Sequence, residues 1–333
     1  MTHRVAVVGA GIAGVTCAQV LTDAGHEVVI IERNAEVGGR MRTWHVDGLQ
    51  CDYGAPFFTA RDANFSVVVK GWCEAGFAAQ WRDRFVALDA AGVAQPVADV
   101  SRFVGTPSMD AVFSTFVSGQ RVETGQAVCA LAKVNGKWQL STREYGHYTD
   151  LFDAVVLAMP PAEARELLHE ASPALSVVVD RARMRPCWAL MLRYPTPLEL
   201  GFEAAFVNGG PLRWMANDGA KPGRDDKGVW VIHASAEWSS RHLASRPDAV
   251  TEALMSAFVA FGARFPDAAA AYLWRDAEAV IDSGPASRGY VWRDPERIGL
   301  CGDWCRSGRV EGAWLSGRSL GLAVRASLAR GSA

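Results

Sequence analysis

Apolar and polar positions in the first thirty-odd residues spell out strand, turn, helix and strand in quick succession. Val5-Ala6-Val7-Val8 is a short apolar run suited to a buried strand. Gly9-Ala10-Gly11-Ile12-Ala13-Gly14 follows, and an apolar-periodic segment then runs to Ala24. A second strand is expected from His26 to Ile31, with Glu32 at its end. Further along, the pattern predicts a helix over Ala63–Ala79, then short strands and loops from Trp81 to Phe116, around Pro96 and Pro107. Strands are expected at Arg121–Val128, Lys133–Thr142 and Ala154–Ala158, with Asn135-Gly136 as a hairpin turn. Trp188–Tyr194 and Val229–Ala236 read as strands. Pro247–Phe265 reads as an amphipathic helix.

The glycine turn carries the first chemistry. Its three glycines allow a tight turn, let the backbone approach a pyrophosphate and let the helix pack closely on the sheet. Phosphate oxygens then sit at a helix N-terminus, where unpaired N–H groups and the dipole favour negative charge. Glu32 lies about 20 residues beyond Gly11, the spacing of an acid that grips ribose hydroxyls. A dinucleotide site is therefore expected around Gly9, Gly11, Ile12, Ala13, Gly14, Glu32 and Arg33. Gly38-Gly39-Arg40 comes soon after the second strand and adds close backbone approach and a bidentate phosphate partner. The run Asp52-Tyr53-Gly54-Ala55-Pro56-Phe57-Phe58 follows.

This order resembles the FAD-dependent amine oxidase superfamily. The resemblance implies that Gly39 and Arg40 contact the pyrophosphate and that Gly54, Ala55, Pro56 and Phe57 pass beside the isoalloxazine. It places Val128 against the adenine and makes Met159, in Ala158-Met159-Pro160-Pro161, the end of a second adenosine-side strand. Gly302-Asp303 and Val310-Glu311-Gly312-Ala313 match the superfamily's C-terminal motif. There Asp303 bonds the ribitol chain, and a helix N-terminus faces the flavin N1/C2 edge, where reduced flavin is negative. The implied fold is a Rossmann-type FAD-binding domain of the p-hydroxybenzoate hydroxylase/amine oxidase type, with an inserted substrate domain of mixed sheet and helices. Residues 1–62, 117–162 and 281–333 are assigned to the first domain, and 63–116 with 163–280 to the second. FAD is the expected cofactor, with nicotinamide as the second choice. The Cys301–Cys305 segment does not match the motif for covalent attachment, so FAD is expected to be non-covalent.

Composition narrows the partners. The chain has 333 residues, half of them hydrophobic, and a formal charge of −2, which gives no case for nucleic acid or an anionic membrane. No apolar stretch approaches the ~20 residues of a membrane span. Seven scattered cysteines with no CxxC pair suggest reduced thiols and a cytoplasmic location. The histidines have no ligand spacing, and no metal is expected. Many amine oxidases place a strand lysine near flavin N5 through a water. None of Lys70, Lys133, Lys137, Lys221 and Lys227 fits that role: Lys221 and Lys227 flank a polar loop, and the others read as surface or hairpin positions.

Several segments resemble the renalase family, specifically its bacterial members: Tyr53–Phe58, Leu212-Arg213-Trp214, Val231-Ile232-His233, Trp274-Arg275 and the C-terminal motif. That resemblance implies an oxidase of 2- and 6-dihydro isomers of NAD(P), restoring NAD(P)+ while O2 reoxidises the flavin to give H2O2. A dihydropyridine that aromatises on losing hydride has no proton to give up, so the missing lysine is no defect. The alternatives are a flavin amine oxidase, a flavoprotein desaturase of an apolar substrate, and a non-catalytic flavin-binding module. His233, a polar residue in an apolar strand, is the candidate catalytic residue, in an orienting or electrostatic role; a satisfied core histidine is the competing reading. Phe58, Thr59, Ala60, Arg61, Arg185 and Tyr290 are the candidate substrate contacts, and core packing or surface ion pairing is open to each.

Overall fold

The computed structural model describes residues 1–46, 49–89, 92–226, 228–280 and 288–330. Lys227 and the expected domain boundary at residue 281 lie outside the described residues. The first apolar run forms strand β1, Arg4–Val8, and leads into helix α1, Ile12–Asp23, and strand β2, Glu27–Ile31. β1 lies parallel to β2 on one side and to Ala154–Leu157 on the other. Such a strand is covered on both faces, which is why an unbroken apolar run, not an alternating one, fills it. Val5, Ala6 and Val7 are fully buried.

The chain divides into two compact units: Met1–Arg40, Phe113–Met184 and Glu278–Ala333 in the first, Met41–Val112 and Arg185–Ala277 in the second. In the first unit a six-stranded sheet runs in the order Val291–Arg293, Ile298–Leu300, Ala154–Leu157, β1, β2, Arg121–Glu123. Its strands are parallel except Val291–Arg293, which joins the edge antiparallel. A separate antiparallel sheet holds Val128–Val134, Lys137–Thr142 and Gly146–Phe152. Asn135 and Gly136 turn its first hairpin with φ of 50° and 78°, the left-handed pair that matches strand twist.

Helix Val310–Arg330 closes this unit against α1. A Cβ on Gly317 would stand 2.0 Å from the Ala13 carbonyl oxygen, and one on Gly321 2.9 Å from the Val20 Cβ. Backbone therefore meets backbone where the helices cross, and only glycine permits it.

The second unit is built on a seven-stranded sheet in the order Ala268–Ala279, Met184–Arg193, Val229–Ala234, Leu212–Asn217, Ala204–Val207, Phe85–Leu88, Ala94–Pro96. Leu190, Leu192, Trp230 and Ile232 of its central strands pack with Leu254 and Phe258 of helix Pro247–Val259. Helix Ala63–Glu74 buries Phe65, Val69 and Trp72, one face at helical spacing, and Asp62 caps it by accepting from the Asn64 and Phe65 amides.

The units differ from the expected domains in two places. Residues 41–62 fall in the second unit because Cys51 and Tyr53 share a core with Met191 and Val231. Residues 163–184 fall in the first because helices Pro161–Ala171 and Pro173–Val179 bury Leu167, Leu168, Leu175 and Val179 in the same core as Val8, Ile31 and Leu157. The helix expected to reach Ala79 stops at Glu74, with Gly76 at φ 81° ending it, and Ala78–Gln80 pairs instead with Phe103–Gly105. The helix expected to reach Phe265 ends at Val259. The strand expected over Arg121–Val128 is split by the bonded turn at Gly125, whose N–H donates to the Asn34 carbonyl.

Gly317→Val should force the two helices apart at a cost of about 1–3 kcal/mol or more. Thermal unfolding and the flavin content of the purified protein check this. A variant as stable and as yellow as the wild type would refute the tight crossing.

Candidate active site

In the first unit a tight glycine turn joins β1 to α1. Gly9 adopts φ 104°, and a Cβ there would meet the Ala158 carbonyl oxygen at 2.5 Å. A Cβ on Gly14 would stand 1.9 Å from the Gly9 carbonyl oxygen, so this glycine serves the helix–strand contact. Gly11 differs: the nearest atom to its Cβ would be the Gly39 Cα, 4.0 Å away. No close protein neighbour requires a glycine at this position, so the backbone here is left open to the approach of a ligand. Gly11 caps α1 without any side-chain hydrogen bond, and the first turn holds no acid. Its amides are left for an anion. The donor set thus fits the pyrophosphate of a dinucleotide.

The remaining expected contacts of this unit cluster on the same sheet end. Glu32 is buried and its carboxylate accepts from the Ala10 amide at 2.8 Å and the Asn34 amide at 2.9 Å, which fixes it at the end of β2. Arg33 pairs with Glu163 at 2.9 Å. Arg40 grips Asp303 through both terminal guanidinium nitrogens, Nη1 at 3.0 Å and Nη2 at 2.5 Å. A planar fork on a buried carboxylate is a strong, directional pair, and it brings the Gly-Gly-Arg run to the C-terminal motif. The Ser316 hydroxyl accepts from the Gly302 amide at 3.0 Å, tying that motif to the first turns of the last helix, which contain Val310, Glu311, Gly312 and Ala313. Met159 and Val128 are partly buried, and the Met159 carbonyl accepts from the Trp304 indole at 3.0 Å. Burial pushes the Cys301 thiol up to about 12 and raises Cys305 as well, so both are held as unreactive thiols.

In the second unit, the Gly54–Phe57 run leaves a buried charged cluster. Asp52 accepts from the Thr43 hydroxyl at 2.7 Å, the Met109 amide at 3.1 Å, the Lys221 ammonium at 2.9 Å and the Arg224 guanidinium at 2.6 Å. Asp218 lies 2.5 Å from Lys221 and also accepts from the Asp52 amide at 3.0 Å. All four charged side chains are buried. Two acids meet two bases, so the cluster is close to neutral. Burial alone would raise Asp52, but Lys221 and Arg224 overcome it and hold the carboxyl well below its ordinary range. Burial and the neighbouring Asp52 charge raise Asp218. Burial lowers Lys221, yet the two carboxylates outweigh it and leave the ammonium harder to deprotonate. Lys221 was expected to flank a polar loop; the structure buries it, and Asp52 from a distant segment supplies the counter-charge.

His233 donates from Nε2 to the Tyr53 carbonyl at 3.3 Å, and the Trp274 indole donates to the same oxygen at 3.0 Å. Burial, followed in the same direction by Lys221 and Arg213, pushes His233 down to about 4. The ring is neutral at neutral pH, with the proton on Nε2 and Nδ1 as an acceptor. A neutral ring suits the orienting role and not the electrostatic one. Tyr53 sits among Trp44, Tyr272 and Trp274, whose ring centroids lie 4.9–5.4 Å from its own.

The candidate substrate contacts are not alike. Phe58 is buried against Phe65, Trp72 and Phe103, so its ring belongs to the core. Thr59 and Ala60 are partly buried, while Arg61 and Arg185 are exposed. Tyr290 is partly buried and belongs to the first unit, apart from the other five in chain organisation. Asp52 and Arg224 stand out in the sequence only as members of the flavin-side run and of the polar loop, with no partner assigned, and Asp218 does not stand out at all. Their signal is charge at Asp218, Lys221 and Arg224, three residues apart, in a glycine-broken loop between two apolar strands.

Residues 75–320 match the family model for flavin containing amine oxidoreductases, and residues 7–70 that for an NAD(P)-binding Rossmann-like domain. The chain belongs to the flavin-containing amine oxidoreductase family. Its cofactor is FAD. Cyclohexylamine oxidase from Brevibacterium oxydans superposes with a TM-score of 0.77 at 14% identity, covering 99% of this chain and 100% of that one. Putrescine oxidase bound to putrescine gives 0.74 at 14% identity, over 98% and 99%. These likenesses establish the fold. Hydroxyneurosporene desaturase from Rubrivivax gelatinosus is 50% identical over 60 residues, 18% of this chain and 11% of the desaturase. The match thus spans about a tenth of that relative's length. Among the described residues no helix is long and apolar enough to cross a membrane, and no group of side chains could hold a metal ion.

The two buried sites predict separate pH windows. Asp52, held low, contributes stability that is complete above the ordinary carboxyl value of 3.8 and is lost as pH falls below it. His233, held low as the neutral ring, favours the fold fully above 6.5, and that contribution is lost as pH falls from 6.5 toward about 4. Denaturant unfolding at a series of pH values should therefore show His233→Gln flattening the 6.5-to-4 limb alone. Lys221→Met should cost about 3–5 kcal/mol at pH 7, because it strands a buried carboxylate. A loss below about 1 kcal/mol would refute the cluster.

Proposed function

We propose that this protein oxidises isomeric dihydronicotinamide dinucleotides, 2-dihydro- or 6-dihydro-NAD(P), to NAD(P)+ with O2 as the final acceptor and H2O2 as the second product. FAD, when bound without a covalent link, supplies the two-electron acceptor that O2 reoxidises. The observation that carries the reading is the state of Lys221. It is the buried lysine among the described residues, and its ammonium is held by Asp52 and Asp218. A lysine bound this way is a poor proton acceptor and a poor anchor for a mobile water.

His233 is no better suited to remove a substrate proton at its Nε2, which already carries one and donates it to Tyr53. Its Nδ1 is an acceptor for an amide N–H, the group a carboxamide presents. Hydride loss from a dihydropyridine needs orientation rather than a base, since aromatisation releases no proton. The residues of the second unit are therefore suited to hold a flat ring and to point it, with His233 orienting and Tyr53 to Phe57 supplying the surface. The cysteines form no disulfide among the described residues, which fits a reducing, cytoplasmic setting.

Family membership keeps amine oxidation as the second reading, and one experiment separates the two. The holoprotein is mixed anaerobically with 2-dihydro-NAD, 6-dihydro-NAD, ordinary 4-dihydro NADH or a primary amine, and bleaching of the oxidised flavin band is followed. Rapid bleaching by a 2- or 6-isomer is expected, with little response to NADH or amine. Its rate should change little between pH 6 and 9 on account of His233, whose titration lies near 4. Bleaching by the amine alone would overturn the proposal.

A further inference from the structure

A second polar set in the same unit plays no part in the reading above. Arg102 is nine-tenths buried just ahead of Phe103, where Phe58 and Phe103 exchange backbone hydrogen bonds at 2.8 Å. Its guanidinium donates to the Val100 carbonyl at 3.1 Å and, at 3.4 Å, to that of Ala98. Among the described residues no carboxylate lies within ion-pair distance, and Asp99 is the acid whose charge it feels. Three rings surround its central carbon: Phe85 at 4.4 Å, Phe57 at 5.6 Å and Phe206 at 5.7 Å. A guanidinium carries five N–H donors, so most of this fork is still open.

Trp214 packs on the same three rings, with centroids 4.7 Å from Phe206, 5.4 Å from Phe57 and 6.3 Å from Phe85. It is 3% exposed, and its indole N–H is buried without an acceptor. Buried donors are nearly always paired, so each exception calls for an explanation. Here two donor groups, one carrying a full charge, share one aromatic wall and lack an anion.

We propose that Arg102 and Trp214 form an oxyanion subsite that takes the phosphate of a pyridine dinucleotide donor beside the ring of Phe57. The assignment of the donor rests on the proposed function, while the oxyanion chemistry does not. The planar fork suits two oxygens of one phosphate or carboxylate, the indole adds a third hydrogen bond, and the rings exclude water that would screen the charge. Phosphate is the better match because a dinucleotide carries it next to flat rings. A carboxylate offers the same acceptor geometry and is separated by experiment.

The FAD-loaded protein is titrated with inorganic pyrophosphate and, separately, with benzoate, read by calorimetry and tryptophan emission, neither of which needs turnover. Wild type should bind pyrophosphate saturably. Arg102→Gln should weaken it at least about tenfold, and Arg102→Lys, which keeps charge but loses the fork, by less. Trp214→Phe, which keeps the ring and removes the donor, should weaken it about threefold to tenfold. If Arg102→Gln fails to fold, Arg102→Lys and Trp214→Phe decide the point. Benzoate binding with the same losses, and none of pyrophosphate, would keep the oxyanion seat and overturn the phosphate assignment. No saturable binding of either anion, or equal binding by every variant, would overturn the subsite. An unchanged Trp214→Phe alone would mean its N–H rests on a ring face and would remove Trp214 from the proposal.

In turnover, Arg102→Gln should raise KM for the dinucleotide about tenfold with kcat held, and leave the phosphate-free dihydronicotinamide riboside unaffected. If no dihydronicotinamide bleaches the flavin, the proposed function fails while the binding titrations still judge the subsite.

Discussion

Backbone meets backbone around α1, and the first unit depends on that contact. Gly9 and Gly14 let the helix start hard against the strand ends, and Gly317 lets the last helix lie on Ala13. With both flanks sealed by glycine, the amides at the head of α1 have one open direction, past Gly11. An anion arriving there meets N–H groups that no side chain has claimed. The cofactor site is thus a by-product of how tightly the helices pack.

The second unit solves a different problem, that of burying charge. Asp52 gathers four donors, and Lys221 is held between two carboxylates. Each charge is paired, so the desolvation penalty is offset where a lone ion would be driven neutral. The outcome for chemistry is that the lysine is spent on structure. The segment leading to Tyr53 and Phe57 is anchored at one end by this cluster, and the Tyr53 carbonyl is fixed by His233 and Trp274. Arg102 contrasts with Lys221: it is also buried, but rings surround it where carboxylates surround the lysine.

Which parts were readable beforehand follows from the range of each interaction. The strand, glycine turn and helix that run from Arg4 to Asp23 were legible because each is a local sequence whose conformation depends on its own backbone. The helix ends at Glu74 and Val259 were misjudged, since apolar periodicity continues past the residues where left-handed glycines stop the helix. The pairing of Arg40 with Asp303, over two hundred residues apart, joins two motifs that the sequence shows only separately.

The sequence by itself determined the strand, glycine turn and helix that open the Rossmann-type cofactor unit, because these are set by neighbours in the chain, while the choice of FAD came from resemblance to a family. Only the tertiary structure decided the ionisation of the groups around it. Lys221 is an ammonium in a cage, His233 a neutral ring and Arg102 a cation held among rings and backbone carbonyls, and none of these states follows from residue type. Protonation depends on desolvation and on charges a few ångströms away, and folding brings those charges from segments far apart in sequence.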